Sequence, residues 1–213
     1  MMATILKFAL SVVLAVAGSM AGQRWITYLY ASAPDILDKP YRVAENTKKR
    51  QSFLTMSLGF LLCFASLQGD YSTVSAWLSA MIVIYFCVLF SATDWEQHVI
   101  FDRMLIPFAV LGLLFTLLSG GLLNHILAAA AGGIVFLLLS ILTKGGIGGG
   151  DIKLIAALGL WLGTDQLLTV ACTGMILGGV AALLLLVTKR RKRGEMFAYG
   201  PYFTVAALVL ALI

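Results

Sequence analysis

Charge is scarce in this sequence. Lys, Arg, Asp and Glu make up only 12% of its 213 residues, while 61% of the chain is hydrophobic and mean hydropathy is +0.97. That balance excludes a water-soluble globular domain. Cysteine is scarce as well. Cys63, Cys87 and Cys172 all fall inside apolar runs, and no CxxC pair exists to hold a zinc ion or a redox centre. No polar stretch is long enough to form or tether a soluble domain. The basic residues flank apolar runs and are not interleaved with aromatics, so nucleic acid is excluded as the partner.

What is present is a series of apolar runs of membrane-spanning character. They cover about 5–22, 53–69, 74–93, 104–118, 126–143, 154–164, 167–187 and 199–213. The expected fold is all-α, a polytopic membrane helix bundle of about eight transmembrane helices, with 1–213 as one integral-membrane domain. Residues 31–52 are expected to be a short polar loop carrying Lys39, Arg42, Lys48, Lys49 and Arg50. The sixth run is the weak one. Its eleven residues reach roughly 16 Å as a helix, against a hydrocarbon core of about 30 Å.

Charge asymmetry settles the count. With eight crossings, the 39–50 cluster, Arg103, Lys144, Lys153 and the run Lys189–Arg193 share one side, and Lys7 faces the other. The positive-inside rule makes the crowded side cytoplasmic and puts both termini in the periplasm. Removing the sixth crossing would export five consecutive basic residues. A cleaved signal peptide beginning at Lys7 is disfavoured on the same ground, since it would export the 39–50 cluster. Asp94, Asp102 and Asp151 then lie at the cytoplasmic face, and Asp70 and Asp165, as turn acids, on the opposite one.

The chemistry gathers in two segments, 94–103 and 144–153. Gly145-Gly-Ile-Gly-Gly-Gly-Asp151-Ile-Lys153 carries five glycines beside an acid, and Asp94 stands where another apolar run ends. Peptide hydrolysis by two aspartates needs one carboxylate ionised to activate water and one protonated to polarise the carbonyl. Close approach supplies that asymmetry, because two neighbouring carboxylates cannot both ionise cheaply. Glycines admit unusual torsions and close approach of another backbone. An acid at a helix start is also what capping and the helix dipole favour, so spacing alone leaves both readings open. A transporter using Asp94 and Asp151 as ion sites is a third. His98 and His125 fall on opposite faces, which excludes a shared metal site, and His98 with Glu96 reads as a solvated loop. Lys153 steadies a carboxylate or snorkels to the interface.

Gly148-Gly-Gly150-Asp151 is a GxGD sequence, and Gly150 to Gly163 resembles the corresponding segment of the type IV prepilin peptidases. Asp94-Trp-Glu-Gln-His-Val-Ile-Phe-Asp102-Arg-Met-Leu-Ile-Pro107 is similar to that family's other aspartate segment. Tyr199-Gly200-Pro201-Tyr202 resembles its closing motif, and Gly18-Ser19 sits where the family begins its first cytoplasmic stretch. Phe101 stands where the family usually has proline. No Pro-Ala-Leu motif of the signal-peptide-peptidase kind occurs, although another GxGD intramembrane protease is a related alternative.

The resemblance implies a catalytic pair, Asp94 and Asp151, with Gly148 and Gly150 shaping the loop and Asp102, Lys153, Gly200 and Pro201 in support. It implies an aspartic endopeptidase of the bacterial inner membrane that removes the basic leader of type IV prepilins or pseudopilins, for pilus assembly or type II secretion. Many family members also methylate the new N-terminus with S-adenosylmethionine. Here the first loop lacks the paired CxxC motifs and much of the usual length, so neither zinc nor S-adenosylmethionine is expected as a cofactor.

Overall fold

A bilayer offers no water to backbone N–H and C=O groups, so each apolar run must satisfy its own by coiling into a helix. The computed structural model describes residues 2–68, 73–189 and 197–212. Its helices are α1 (Met2–Ser32), α2 (Val43–Gln68), α3 (Val74–Gln97), α4 (Asp102–Ser119), α5 (Leu122–Leu142), α6 (Gly149–Val187) and α7 (Gly200–Leu212). Two single-turn 3₁₀ helices, Pro34–Ile36 and Pro40–Arg42, link α1 to α2. Among the described residues six helices are long and apolar enough to cross a membrane, and α7 is a shorter apolar helix. The fold is an all-α polytopic membrane helix bundle. Asp70 and residues 190–193 lie outside the described residues.

One boundary differs from expectation. The polar stretch 31–52 narrows to residues 33–42, because α2 begins at Val43 and carries Lys48, Lys49 and Arg50 on helix. Hydropathy reads those charges as loop; a buried partner for Arg50, described below, keeps them helical. Gly18 and Ser19 lie well inside α1, which runs on to Ser32.

The chain divides into two compact units, Met1–Val99 with Leu208–Ile213, and Ile100–Ala207. In the first, α1 approaches α3 closely. A Cβ on Gly22 would lie 2.9 Å from Leu89, and one on Gly18 would lie 3.2 Å from Tyr85. Three helices are stitched by buried polar groups: Trp77 Nε1 donates to Ser66 Oγ at 2.9 Å, and Ser66 in turn bonds Ser11. In lipid such hydrogen bonds join helices that the hydrophobic effect does not.

In the second unit α6 is not one rod. Gly163 adopts φ 73 and ψ −178 within it, a conformation that favours glycine, and two helices meet there. Ile155 and Leu167 both lie against Gly132 of α5, at 3.0 and 2.9 Å from a Cβ placed there. In a straight helix residues so spaced stand about 18 Å apart. The chain therefore doubles back at Gly163. The first arm runs antiparallel to α5: Ser140 Oγ donates to the Ile147 carbonyl at 2.8 Å at one end, and Thr164 Oγ1 donates to Asn124 Oδ1 at 2.8 Å at the other. The sixth and seventh apolar runs are thus the two arms of one hairpin.

Candidate active site

Asp94 sits in the last turn of α3 and is 5% exposed. His98 ends that helix. Its φ of 54 is left-handed, and its N–H donates to the Asp94 carbonyl at 2.9 Å. The polar residues that follow Asp94 are held by α1, by α2 and by the link between those helices. Arg50 Nη1 donates to both carboxylate oxygens of Glu96, at 2.9 and 2.8 Å, and the two side chains are only 2% and 8% exposed. Its other nitrogens donate to Gln23 Oε1 at 3.0 Å and Thr27 Oγ1 at 3.3 Å. Tyr30 donates its hydroxyl to Glu96 at 3.3 Å, and its ring lies under the guanidinium, 5.1 Å from centroid to Cζ.

The next residue is held as firmly. Gln97 accepts the Lys39 N–H at 2.7 Å and donates to the Lys39 carbonyl at 3.1 Å. His98 Nδ1 is 3.1 Å from Asp38 Oδ2, as is Lys39 Nζ. Partial burial works against ionisation of Asp38, but Lys39 and His98 outweigh it and hold the carboxyl below its ordinary 3.8. The expectation of a solvated loop at Glu96 and His98 is therefore corrected. The string Asp-Trp-Glu-Gln-His is hydrophilic, yet α1 and α2 bury Glu96, and the link between them holds Gln97 and His98. Arg50, Tyr30, Gln23 and Thr27 were missed; the only hint in sequence was a basic cluster too long for its loop.

Asp151 stands in the first turn of α6 and is 6% exposed. The loop before it, from Lys144 to Gly149, is largely exposed. Gly145 takes φ 88, so one glycine serves torsion; Gly148, at φ −68, does not. Gly148 and Gly150 instead supply space. A Cβ on Gly148 would lie 3.3 Å from Asp151 Oδ2, and one on Gly150 would lie 3.2 Å from the Cβ of Ile100. Gly149 faces open space.

Asp102 opens α4, and Lys153 Nζ bonds both its oxygens at 2.8 Å on an exposed surface. These two supporting candidates meet each other. Gly200 and Pro201 are buried in the first turn of α7, where a proline is tolerated because its N–H would have no helical partner. Asp94 belongs to the first unit, and Asp151, Asp102, Lys153, Gly200 and Pro201 belong to the second. The other histidine, His125, bonds the Leu160 carbonyl through Nδ1 at 3.1 Å, holding α5 to the first arm of α6.

The sequence profile of the Type IV leader peptidase family matches residues 81–183, which contain both aspartates. A prepilin leader peptidase/N-methyltransferase of Neisseria gonorrhoeae is 34% identical over 169 residues, 76% of this chain and 57% of that protein. One from Aeromonas salmonicida is 31% identical over 142 residues, 63% of this chain and 49% of its own length. A third, from Bacillus subtilis, is 27% identical over 136 residues, 62% and 54% of the two chains. The chain thus spans about half the length of the curated relatives it matches. No solved structure matches it.

Proposed function

This chain belongs to the type IV leader peptidase family, and from that premise we propose that it is an aspartic endopeptidase acting on type IV prepilins or pseudopilins. The observation that carries the reading is the state of its two matched aspartates. Asp94 and Asp151 are 5% and 6% exposed, each at a helix end beside polar chain, in a protein with little charge to spare. Buried acids in a membrane protein mark function more often than structure. In the mechanism, one carboxylate takes a proton from water while the other, protonated, polarises the scissile carbonyl.

The exposed glycine loop suits the substrate side. An extended substrate backbone passes close to Asp151 where Gly145, Gly146 and Gly148 present no side chains. The same reading places the protein in the bacterial inner membrane with both termini in the periplasm. The basic leader then stays in the cytosol, the apolar helix of the substrate in lipid, and the cleaved bond at their boundary. Asp102 and Lys153 tie the starts of α4 and α6 together, and Gly200 and Pro201 shape the start of α7.

The relatives are named for methyl transfer as well as cleavage. For this chain we infer cleavage alone. Residues 33–42, two 3₁₀ turns with two prolines, are too short and polar to fold as a cofactor-binding unit for S-adenosylmethionine or zinc. One experiment tests both statements: purified protein in detergent, candidate prepilins from the same genome, S-adenosylmethionine present, and mass spectrometry of the product. Loss of the leader without a gain of one methyl group is expected. An intact substrate removes the peptidase reading, and a methylated product removes the second inference.

A further inference from the structure

The buried cluster around Arg50 asks for an explanation beyond stability. An ion pair inside a bundle is usually no more stabilising than apolar residues of the same volume. In lipid its charged members are expensive unless fully satisfied. Here four hydrogen bonds leave from the Arg50 guanidinium, a ring stacks beneath it, and three helices meet at it. Such completeness fixes geometry.

What it fixes is the last turn of α3. That turn holds two acids, Asp94 and Glu96, at the end of a helix where the dipole disfavours negative charge. Arg50 supplies the compensating cation, and Tyr30 donates to Glu96 while its ring lies under the guanidinium. Successive residues of a helix advance about 100°, so a rotation set at Glu96 is also set at Asp94. Gln97 pins the same turn independently through both backbone groups of Lys39.

We propose that the Arg50–Glu96 pair is a positioning device that holds the Asp94 carboxylate in register. The proposal rests on the reading of Asp94 as catalytic, and its test separates the two. Removing one partner strands a buried charge, so the informative variant is the apolar double replacement Arg50→Met with Glu96→Leu, which conserves packing. It is expected to insert and to melt within a few degrees of the parent. KM for prepilin should stay within about twofold while kcat falls at least tenfold, with a displaced pH–kcat profile, because misplacing a reacting group impairs the chemical step. A parental kcat and pH profile overturn the proposal.

The second arm needs no cleavage. With Cys63, Cys87 and Cys172 replaced by alanine and Asp94→Cys introduced, a water-soluble maleimide should react at position 94 about tenfold faster in the Arg50→Met/Glu96→Leu background. If the parent cleaves no prepilin, the peptidase reading fails, and this rate still decides whether the pair fixes residue 94. An unchanged rate overturns the device.

Discussion

Asp151 Oδ2 lies 3.3 Å from the point a Cβ would occupy on Gly148. The first glycine of the motif is therefore room for a carboxylate. The last one, Gly150, is room for Ile100, while the middle one faces open space.

That difference orders three variants. Gly150→Val should lower peptidase activity at least tenfold, since a branched side chain meets Ile100 and displaces the turn that carries Asp151. Gly148→Ala should lower it less. Gly149→Ala should keep nearly full activity, because alanine favours the helix and meets nothing. Steady-state cleavage rates check the series, and equal losses at 149 and 150 would show that space is not the reason.

Asp94→Asn and Asp151→Asn should each abolish cleavage without changing abundance, as each keeps shape and removes an ionisable group. Asp102→Asn should retain substantial activity. Its partner Lys153 is exposed, and such surface pairs contribute about 1 kcal/mol or less. Full activity in either Asn variant at 94 or 151 removes the assignment.

The helices were legible because hydropathy and helix length are coupled in a bilayer, and α3 to α5 lie close to the predicted runs. The start of α2 was not, because periodicity and composition cannot show that Arg50 has a buried acid waiting on α3. The break between the sixth and seventh runs was visible as Thr164-Asp165-Gln166; the residue that makes it, Gly163, is one position earlier. Asp94 and Asp151 stood out in the sequence by motif and by place, and both lie at helix ends as expected. The glycines were read as a loop serving torsion and close approach; torsion falls to Gly145 alone, and Gly149 and Gly150 already belong to α6.

Packing of α5 on α6 gives a stability test. A Cβ on Gly159 would stand 2.6 Å from backbone atoms of Ala129, and backbone cannot yield as a side-chain tip can. Gly159→Val should destabilise the protein by roughly 1–3 kcal/mol in a detergent melt. Gly179→Ala, with open space around it, serves as the control and should be neutral or slightly stabilising.

Asp38 gives a pH dependence. Its carboxyl is held below 3.8 when folded, so it binds protons more readily unfolded. Its contribution is present above that ordinary value and is lost as pH falls through the lower folded one. Asp38→Asn should therefore be less stable than the parent near neutrality, by under about 1 kcal/mol given its exposure, and equal to it in strong acid. A difference that persists unchanged at low pH contradicts the ion pairs.

The hairpin at Gly163 sets a topology test. A cysteine at position 165, exposed just past the turn, should react with an impermeant reagent outside intact cells, whereas one at position 48 should resist it. Protection at 165 would mean that the turn stays within the cell.

The first arm of that hairpin also ties the protein to the thickness of its lipid. From Gly149 to Gly163 it reaches only about 21 Å, some 9 Å short of an average hydrocarbon core. Hydrophobic mismatch of that size is met by compressing acyl chains around the arm or by drawing one of its ends below the headgroups. Both ends are fastened, the one at Gly163 to Asn124 through Thr164 and the one bearing Asp151 to Asp102 through Lys153, so a thicker bilayer strains the anchorage beside Asp151. Reconstituted in phosphatidylcholines of increasing chain length, the protein should therefore lose turnover steadily as the bilayer thickens, with its helical content unchanged.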